Sequence, residues 1–240
     1  MQNLYHLTYR NLANVASILG VLPLCLLFGA DPAIYLIPLI IYCNVMDDLD
    51  GILAAKLHIG SQFGARLDNV CDSITHSIIL MFVGMSFGGI CTIAALVATA
   101  VVVLRSVSRL DPNATPGIGS PTNELVRHVF FILLLGEQFA FDASPFLIVA
   151  FVLNAITMAL PCKLPFMIRS MTKSAVSVGL VNVALLVAWL APFALPVIAA
   201  AFIGSYLYSL GWALWQAKNA PTNQPQQETR IVEPDQTAKP

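Results

Sequence analysis

Charged side chains are scarce in this 240-residue sequence. Only 10% of the residues are Asp, Glu, Lys or Arg, whereas 58% are hydrophobic and the mean hydropathy is +0.78. A chain of this length cannot bury so much apolar surface in a soluble core. The composition therefore excludes an ordinary soluble globular domain and indicates that lipid solvates most of the surface.

The sequence also has no metal-type cysteine spacing, and we expect no cleavable leader at its start. The five cysteines lie scattered through apolar segments, and we expect them to be small core residues. Residues 1–10 lack a basic segment followed by a small-residue cleavage site, which argues against a removable signal peptide. We expect an interfacial helix there instead, leading into the first membrane span.

Long apolar runs, separated by short polar or Gly/Pro-bearing breaks, predict an all-α polytopic membrane protein. A helix needs about 20 residues to cross the hydrocarbon layer. Eight segments lie near this length, and we predict spans near 12–29, 32–54, 64–87, 89–108, 124–140, 144–162, 174–192 and 195–215. Residues 1–217 would form one transmembrane domain. Residues 218–240, rich in Pro, Gln, Thr and charge, are expected to form a disordered cytoplasmic tail.

The twelve Lys and Arg residues predict the orientation, because basic residues in short loops stay on the cytoplasmic side. With the N-terminus inside, all twelve fall on one side of the eight-span topology. The opposite side carries Asp31, Glu137 and Asp142 and no Lys or Arg. We therefore predict that both termini are cytoplasmic, with residence in the inner membrane if the source is bacterial.

Four aspartates flank the short turn between the second and third predicted spans. Asp47 and Asp50 are three residues apart. Asp68 and Asp72 are four apart, so each pair projects from one helix face. Because a short turn makes the two helices antiparallel, we expect the pairs to converge just inside the cytoplasmic interface. Asp48 points away from this face and is expected to be a solvated charge.

A cluster of carboxylates at membrane depth needs a cationic partner. Each carboxylate there costs about 2.5–3.5 kcal/mol, and mutual repulsion adds to this cost. The local basic residues, Lys56 and Arg66, are too few to neutralise the group, whereas one or two divalent ions would do so. All-oxygen ligands favour Mg²⁺, Mn²⁺ or Ca²⁺ over zinc.

Small residues lie one helical turn from the carboxylates. Gly51, Ala54 and Gly64 either allow close helix packing or let a bulky ligand approach the backbone. Beside the acidic pairs, we favour ligand contact.

These residues together resemble a known signature. The pattern Asp47-x-x-Asp50-Gly51-x-x-Ala54, followed by Gly64-x-x-x-Asp68-x-x-x-Asp72, looks like that of the CDP-alcohol phosphatidyltransferases. These are integral membrane enzymes that exchange CMP for an alcohol, and the resemblance covers predicted spans one to six. One position departs from the pattern: the family usually has Arg directly after the alanine, where this chain has Ala55 followed by Lys56.

The resemblance implies a two-metal site with Mg²⁺ or Mn²⁺ and names residues for it. The implied metal ligands are Asp47, Asp50, Asp68 and Asp72, and Asp72 would also take the proton from the attacking hydroxyl. The implied nucleotide-binding residues are Asp47, Gly51, Ala54, Gly64 and Asp68, with Lys56 or Arg66 as a substitute for the missing Arg. The implied partners are a CDP-lipid donor, a small alcohol acceptor, membrane lipids and a second copy in a homodimer; no nucleic-acid partner is expected.

Arg105 and Arg109 end the fourth predicted span, before a polar turn with a Gly-x-x-Pro element. This segment has a looser resemblance to the phosphatidylserine synthase branch. Four residues apart, the two guanidinium groups either face an acceptor carboxylate or donor phosphate from one helix side, or anchor the inner end of the span. We expect L-serine as the acceptor, with glycerol 3-phosphate, inositol or inositol phosphate, and choline as rivals.

Two other classes of protein stay open, namely a cation transporter and a non-catalytic scaffold. Crowding of the acidic residues at one inner turn disfavours a transporter, which needs polar groups near the midplane. Ala55 leaves the scaffold open, although the intact Asp72 argues against it. His76, Asn154 and Asn182 are expected to be satisfied polar residues between helices.

Overall fold

The computed structural model describes residues 9, 11–111, 113, 119–168 and 174–219. Within these residues the protein is all-α, as predicted, and each predicted span overlaps one helix. The helices are α1 (Leu12–Val21), α2 (Pro32–Lys56), α3 (Gln62–Phe87), α4 (Gly89–Leu110), α5 (Thr122–Phe139), α6 (Ser144–Ala159), α7 (Ala175–Leu190) and α8 (Leu195–Asn219). A 3₁₀ helix over Leu22–Phe28 extends α1.

Local sequence explains where the helices of the acidic turn begin and end. Ser61 caps the start of α3, because its Oγ accepts a hydrogen bond from the Gly64 backbone N–H at 2.9 Å. Gly88 separates α3 from α4 with φ of 68°, a left-handed conformation that glycine adopts without a steric penalty. The Ser61 cap thus fixes the start of the helix that carries Asp68 and Asp72.

The surface and the helix lengths are consistent with a membrane protein. By length and composition, α3, α4 and α8 could each cross a membrane, while α6, α7 and the segment Leu12–Phe28 are apolar but shorter. Large apolar side chains lie exposed over much of the bundle, among them Phe28 at 77% and Phe193 at 86%. Apolar exposure on this scale is typical of a surface that contacts lipid or a partner rather than water.

Helix α5 lies at the centre of the bundle. Its residues from Asn123 to Ile132 are all buried, and they include the charged residues Glu124 and Arg127. Arg127 lies in the first turns of α5, and the central position of the helix leaves its side chain only 2% exposed. Apolar side chains of α3, α4, α6 and α8 complete the core around it.

Some predictions concern residues outside the described ranges. These are the interfacial helix over residues 1–8 and 10, the turn residues 114–118, Arg169 and Lys173, and the tail from residue 220 onwards. Helix α8 continues through Lys218 to Asn219. Three of the cysteines are buried as expected, whereas Cys25 is exposed and Cys162 is partly buried.

The contact between α3 and α4 gives a stability prediction at Gly84. A Cβ atom added to Gly84 would lie 2.3 Å from the Ala95 Cβ atom, so the two helices approach too closely for a methyl group there. We expect Gly84→Ala to destabilise the protein by about 1–3 kcal/mol, as overpacking does. Thermal unfolding of the detergent-solubilised protein measures this loss.

Gly204→Ala in α8 is the matched control, since a Cβ atom there meets no described atom within 4 Å. It should leave the unfolding temperature unchanged. Equal unfolding temperatures for Gly84→Ala and Gly204→Ala would contradict the close helix approach.

Candidate functional site

Three carboxylates meet where the C-terminal half of α2 packs beside the N-terminal half of α3. One oxygen from each of Asp47, Asp50 and Asp68 lies within 4.8 Å of the other two. Asp72, one turn beyond Asp68, lines a small space together with these three aspartates. The predicted convergence of the two acidic helix faces is therefore confirmed.

The donor set fits a hard divalent cation. The close group of three offers only carboxylate oxygens, which are the preferred ligands of Mg²⁺, Mn²⁺ and Ca²⁺. Asp50 is only 5% exposed, and Asp47 and Asp68 are partly buried, so water screens their repulsion incompletely. A bound cation would offset this repulsion.

Two side chains that the sequence did not single out hold these carboxylates. Ser17 of α1 donates a hydrogen bond to Asp50 Oδ2 at 2.5 Å, and Asn123 of α5 donates one to Asp47 Oδ2 at 2.6 Å. The partners are 33 and 76 residues apart in the chain. A single Ser or Asn at such a separation carries no local pattern by which the sequence could identify it.

The predicted small residues line one cavity, which we call the small-residue cavity. It has a volume of about 200 Å³, and its walls include Gly51, Ala54, Gly64, Asp50 and Asp68. A Cβ atom at Gly51 would meet no described atom within 4 Å, so this glycine faces open space. A Cβ atom at Gly64 would instead lie 2.9 Å from Asn14 Oδ1, so glycine lets α1 and α3 approach here.

A second cavity, which we call the arginine cavity, opens beside the same carboxylates. It has a volume of about 360 Å³ and is lined by Arg66, Arg109, Asp68, Asp72 and other residues of α3 and α4. Asp68 lines both cavities, whereas Asp72 lines only the arginine cavity of the two. The acidic residues therefore lie between two spaces of different chemical character.

The predicted pair of arginines divides between two environments. Arg105 is only 6% exposed and donates hydrogen bonds to the backbone carbonyls of Met158, at 3.3 Å, and Gly119, at 3.5 Å. It also lines a small space beside Asp72. Arg109 is exposed and lines the arginine cavity. Arg105 thus ties α4 to the end of α6, while Arg109 is the more accessible to a ligand.

The two proposed substitutes for the missing family Arg lie elsewhere. Arg66 lines the arginine cavity. Lys56 is exposed at the end of α2, and among the described residues neither of the two lines the small-residue cavity. That cavity instead receives polar side chains from Asn14, Ser17 and Ser61.

Asp48 is not a solvated charge, and the prediction for it was wrong. The residue is only 6% exposed, and Asp48 Oδ2 accepts hydrogen bonds from Asn182 at 2.7 Å and from Asn44 at 3.3 Å. The helix face that points away from the carboxylate group packs against α7, whose amide supplies a donor. The prediction of an interhelical hydrogen bond at Asn182 is confirmed by the same contacts.

Asn154 and His76 were also predicted to be hydrogen-bonded polar residues between helices, and the structure confirms this for Asn154 only. Asn154 of α6 bonds between helices as predicted, because its side-chain amide pairs with His128 Nδ1 at 3.1 Å. His76 is buried beside Asp47 and Asp72, but its Nδ1 atom has no hydrogen-bond partner among the described residues. The expectation that His76 is fully satisfied is therefore wrong for this nitrogen.

The geometry agrees with the comparison against known protein families. The model of the CDP-alcohol phosphatidyltransferase family matches residues 7–217, a range that contains the acidic group and both cavities. No curated protein matches the chain significantly. Because the family model covers most of the chain, this protein belongs to the CDP-alcohol phosphatidyltransferase family, whose members use divalent metal to transfer a phosphatidyl group from a CDP-alcohol to an alcohol acceptor.

Proposed function

We propose that this protein transfers a phosphatidyl group from CDP-diacylglycerol to L-serine, forming phosphatidylserine and releasing CMP. The observation that supports this proposal best is the position of Asp68, which lines both the small-residue cavity and the arginine cavity. A transferase needs its two substrates on opposite sides of the reacting phosphorus. Two cavities that share one carboxylate would let the donor and the acceptor approach the same phosphorus from different cavities.

The setting that we propose is a membrane enzyme with eight spans and both termini in the cytoplasm. The exposed basic residues Lys56, Arg66 and Arg109 lie at the same end of the bundle as the carboxylates, as the distribution of basic residues in cytoplasmic loops would require. Residues 1–217 form the catalytic domain in this proposal, and the enzyme acts as a homodimer.

The small-residue cavity is the proposed site of the CMP moiety. Gly51, Ala54 and Gly64 present little side chain to the space, so a flat base or a ribose could lie against the backbone. Asp68 lines this cavity, and Asp47 lies beside it in the carboxylate group; both are the proposed contacts to the nucleotide's phosphates through metal. The acyl chains of the donor would stay in the bilayer.

The proposed reaction is an in-line displacement at phosphorus. Asp47, Asp50, Asp68 and Asp72 would hold divalent cations. When bound, these cations would neutralise the negative charge of the pyrophosphate. The serine hydroxyl oxygen forms a bond to the phosphorus that carries diacylglycerol, and its proton passes to the Asp72 carboxylate. The bond from that phosphorus to the bridging oxygen breaks, and CMP leaves with this oxygen.

The arginine cavity is the proposed acceptor site. Arg109 and Arg66 line it together with Asp72, so an acceptor carboxylate can pair with a guanidinium while its hydroxyl lies near the proposed base. Arg105 binds backbone carbonyls, so we assign acceptor binding to Arg109 rather than to both arginines of the pair. Two guanidinium groups in one cavity also suit a phosphate, which makes glycerol 3-phosphate the second candidate acceptor.

Removal of divalent metal should abolish CMP release, and Mg²⁺ or Mn²⁺ should restore it. Asp50→Asn should lower turnover by at least about 100-fold, because it removes a proposed metal ligand. Combining it with Asp68→Asn should add little, as expected for residues that act together. Asp142→Asn, an exposed residue at the other end of the bundle, is the control. Full turnover in excess chelator would reject the metal-dependent mechanism.

Gly51→Ala tests the proposed nucleotide site. The added methyl group enters the small-residue cavity without meeting a described atom within 4 Å, so the fold should be unaffected. We expect the KM for CDP-diacylglycerol to rise several-fold at an unchanged unfolding temperature. Gly179→Ala in α7 adds an equally unobstructed methyl group outside the cavity and should change neither quantity. An unchanged donor KM in Gly51→Ala would argue that the nucleotide binds elsewhere.

An acceptor screen tests the choice of serine. Purified protein with Mn²⁺ and CDP-diacylglycerol should release CMP when L-serine is supplied, and Arg109→Ala should raise the serine KM about tenfold to a hundredfold through the loss of a charged hydrogen bond. Lys163→Ala, an exposed basic residue outside the cavity, should leave it unchanged. Release with glycerol 3-phosphate or inositol, and none with serine, would reject the serine branch and retain the family reaction.

A further inference from the structure

Helix α5 carries buried polar residues that the proposed reaction does not use. Asn123, Glu124 and Arg127 are 8%, 1% and 2% exposed, respectively. Burying two charges and an amide in an apolar bundle is costly unless each group has a partner. Asn123 and Arg127 each bond to α2, the helix that carries Asp47 and Asp50, and Glu124 pairs with Arg127 within α5.

Arg127 forms a fork between α5 and α2. Its Nε and one terminal nitrogen donate to the same oxygen, Asn44 Oδ1, at 3.1 and 2.9 Å. Its other terminal nitrogen contacts Glu124 Oε1 at 3.2 Å, within α5. The amide nitrogen of Asn44 continues the contact to Asn182 Oδ1 at 2.6 Å, which brings in α7. A planar guanidinium with three engaged nitrogens has little freedom to rotate.

The fork lies one helical turn from a carboxylate contact. On α2, Asn44 and Asp47 are three residues apart and share a face; on α5, Asn123 and Arg127 are four apart and share a face. Two hydrogen-bonded pairs therefore join the helices, Arg127 with Asn44 and Asn123 with Asp47. The Arg127–Asn44 pair fixes the register in which the Asn123 amide reaches Asp47 Oδ2 at 2.6 Å.

A hydrogen bond to one oxygen of a ligating carboxylate restricts its rotation and so directs the group toward a metal. Removal of such an outer partner typically lowers metal affinity by about 10- to 100-fold. We propose that Asn123 is a positioning residue for the Asp47 carboxylate, and that Arg127, with Glu124 and Asn44, holds α5 in the register that makes this bond. This inference rests on the proposed metal site but is independent of the choice of acceptor.

The test is Mn²⁺ binding by the purified, detergent-solubilised protein without donor or acceptor, followed by the electron paramagnetic resonance signal of unbound Mn²⁺. Asn123→Ala should weaken Mn²⁺ affinity about tenfold or more. Asn123→Leu, which is close to asparagine in shape but has no donor, should give the same loss and serves if the alanine variant does not fold. Arg127→Lys keeps the charge beside Glu124 but cannot form the fork, and it should give a smaller loss.

Asn154→Ala is the matched control, because Asn154 is also a buried amide between helices but bonds to Ser120 and His128. It should lower the unfolding temperature and leave Mn²⁺ affinity unchanged. The inference is overturned if folded Asn123→Ala and Asn123→Leu bind Mn²⁺ as the wild type does, or if Asn154→Ala weakens binding equally. If the wild-type protein binds no Mn²⁺, the proposed metal site is overturned as well. If serine fails to drive CMP release, only the choice of serine as the acceptor is rejected.

Discussion

Repulsion among carboxylates in an apolar bundle is the constraint on which the rest of this structure depends. Three carboxylate oxygens lie within 4.8 Å of one another, in surroundings where water screens them incompletely. Such a group persists only if donors or cations offset its charge. Ser17 and Asn123 supply two of the donors, and each comes from a different helix. The packing of α1 and α5 beside α2 and α3 is therefore inseparable from the acidic group.

Residues of one type have different roles here according to their neighbours. Arg105 and Arg109 share a helix and a spacing of one turn, yet the first binds backbone carbonyls of another segment while the second lines an accessible cavity. Asp48 is adjacent to Asp47 but faces α7, where the Asn182 amide donates a hydrogen bond to Asp48 Oδ2. In a bundle, the side of the helix that a residue occupies decides whether it supports the fold or the site.

The family's use of divalent metal is consistent with a chain of so little charge that nevertheless gathers three carboxylates in one place. A CDP-linked lipid has apolar chains and a highly charged head, so its reacting phosphorus lies where apolar and polar surroundings meet. In this protein the small-residue cavity and the arginine cavity both include Asp68 in their walls. The position of the family Arg is occupied by Ala55, and the small-residue cavity is instead lined by neutral polar side chains such as Asn14 and Ser61.

The sequence by itself determined the features that depend on near neighbours in the chain. Apolar run lengths predicted each helix, and spacings of three and four residues predicted the convergence of Asp47, Asp50 and Asp68 across one short turn. Only the tertiary structure decided which helices adjoin one another. It placed Asn123 on Asp47, 76 residues away, and Arg127 on Asn44, 83 residues away. A helical period states which face is apolar, but not which helix that face meets, so partners across the bundle carry no local signal.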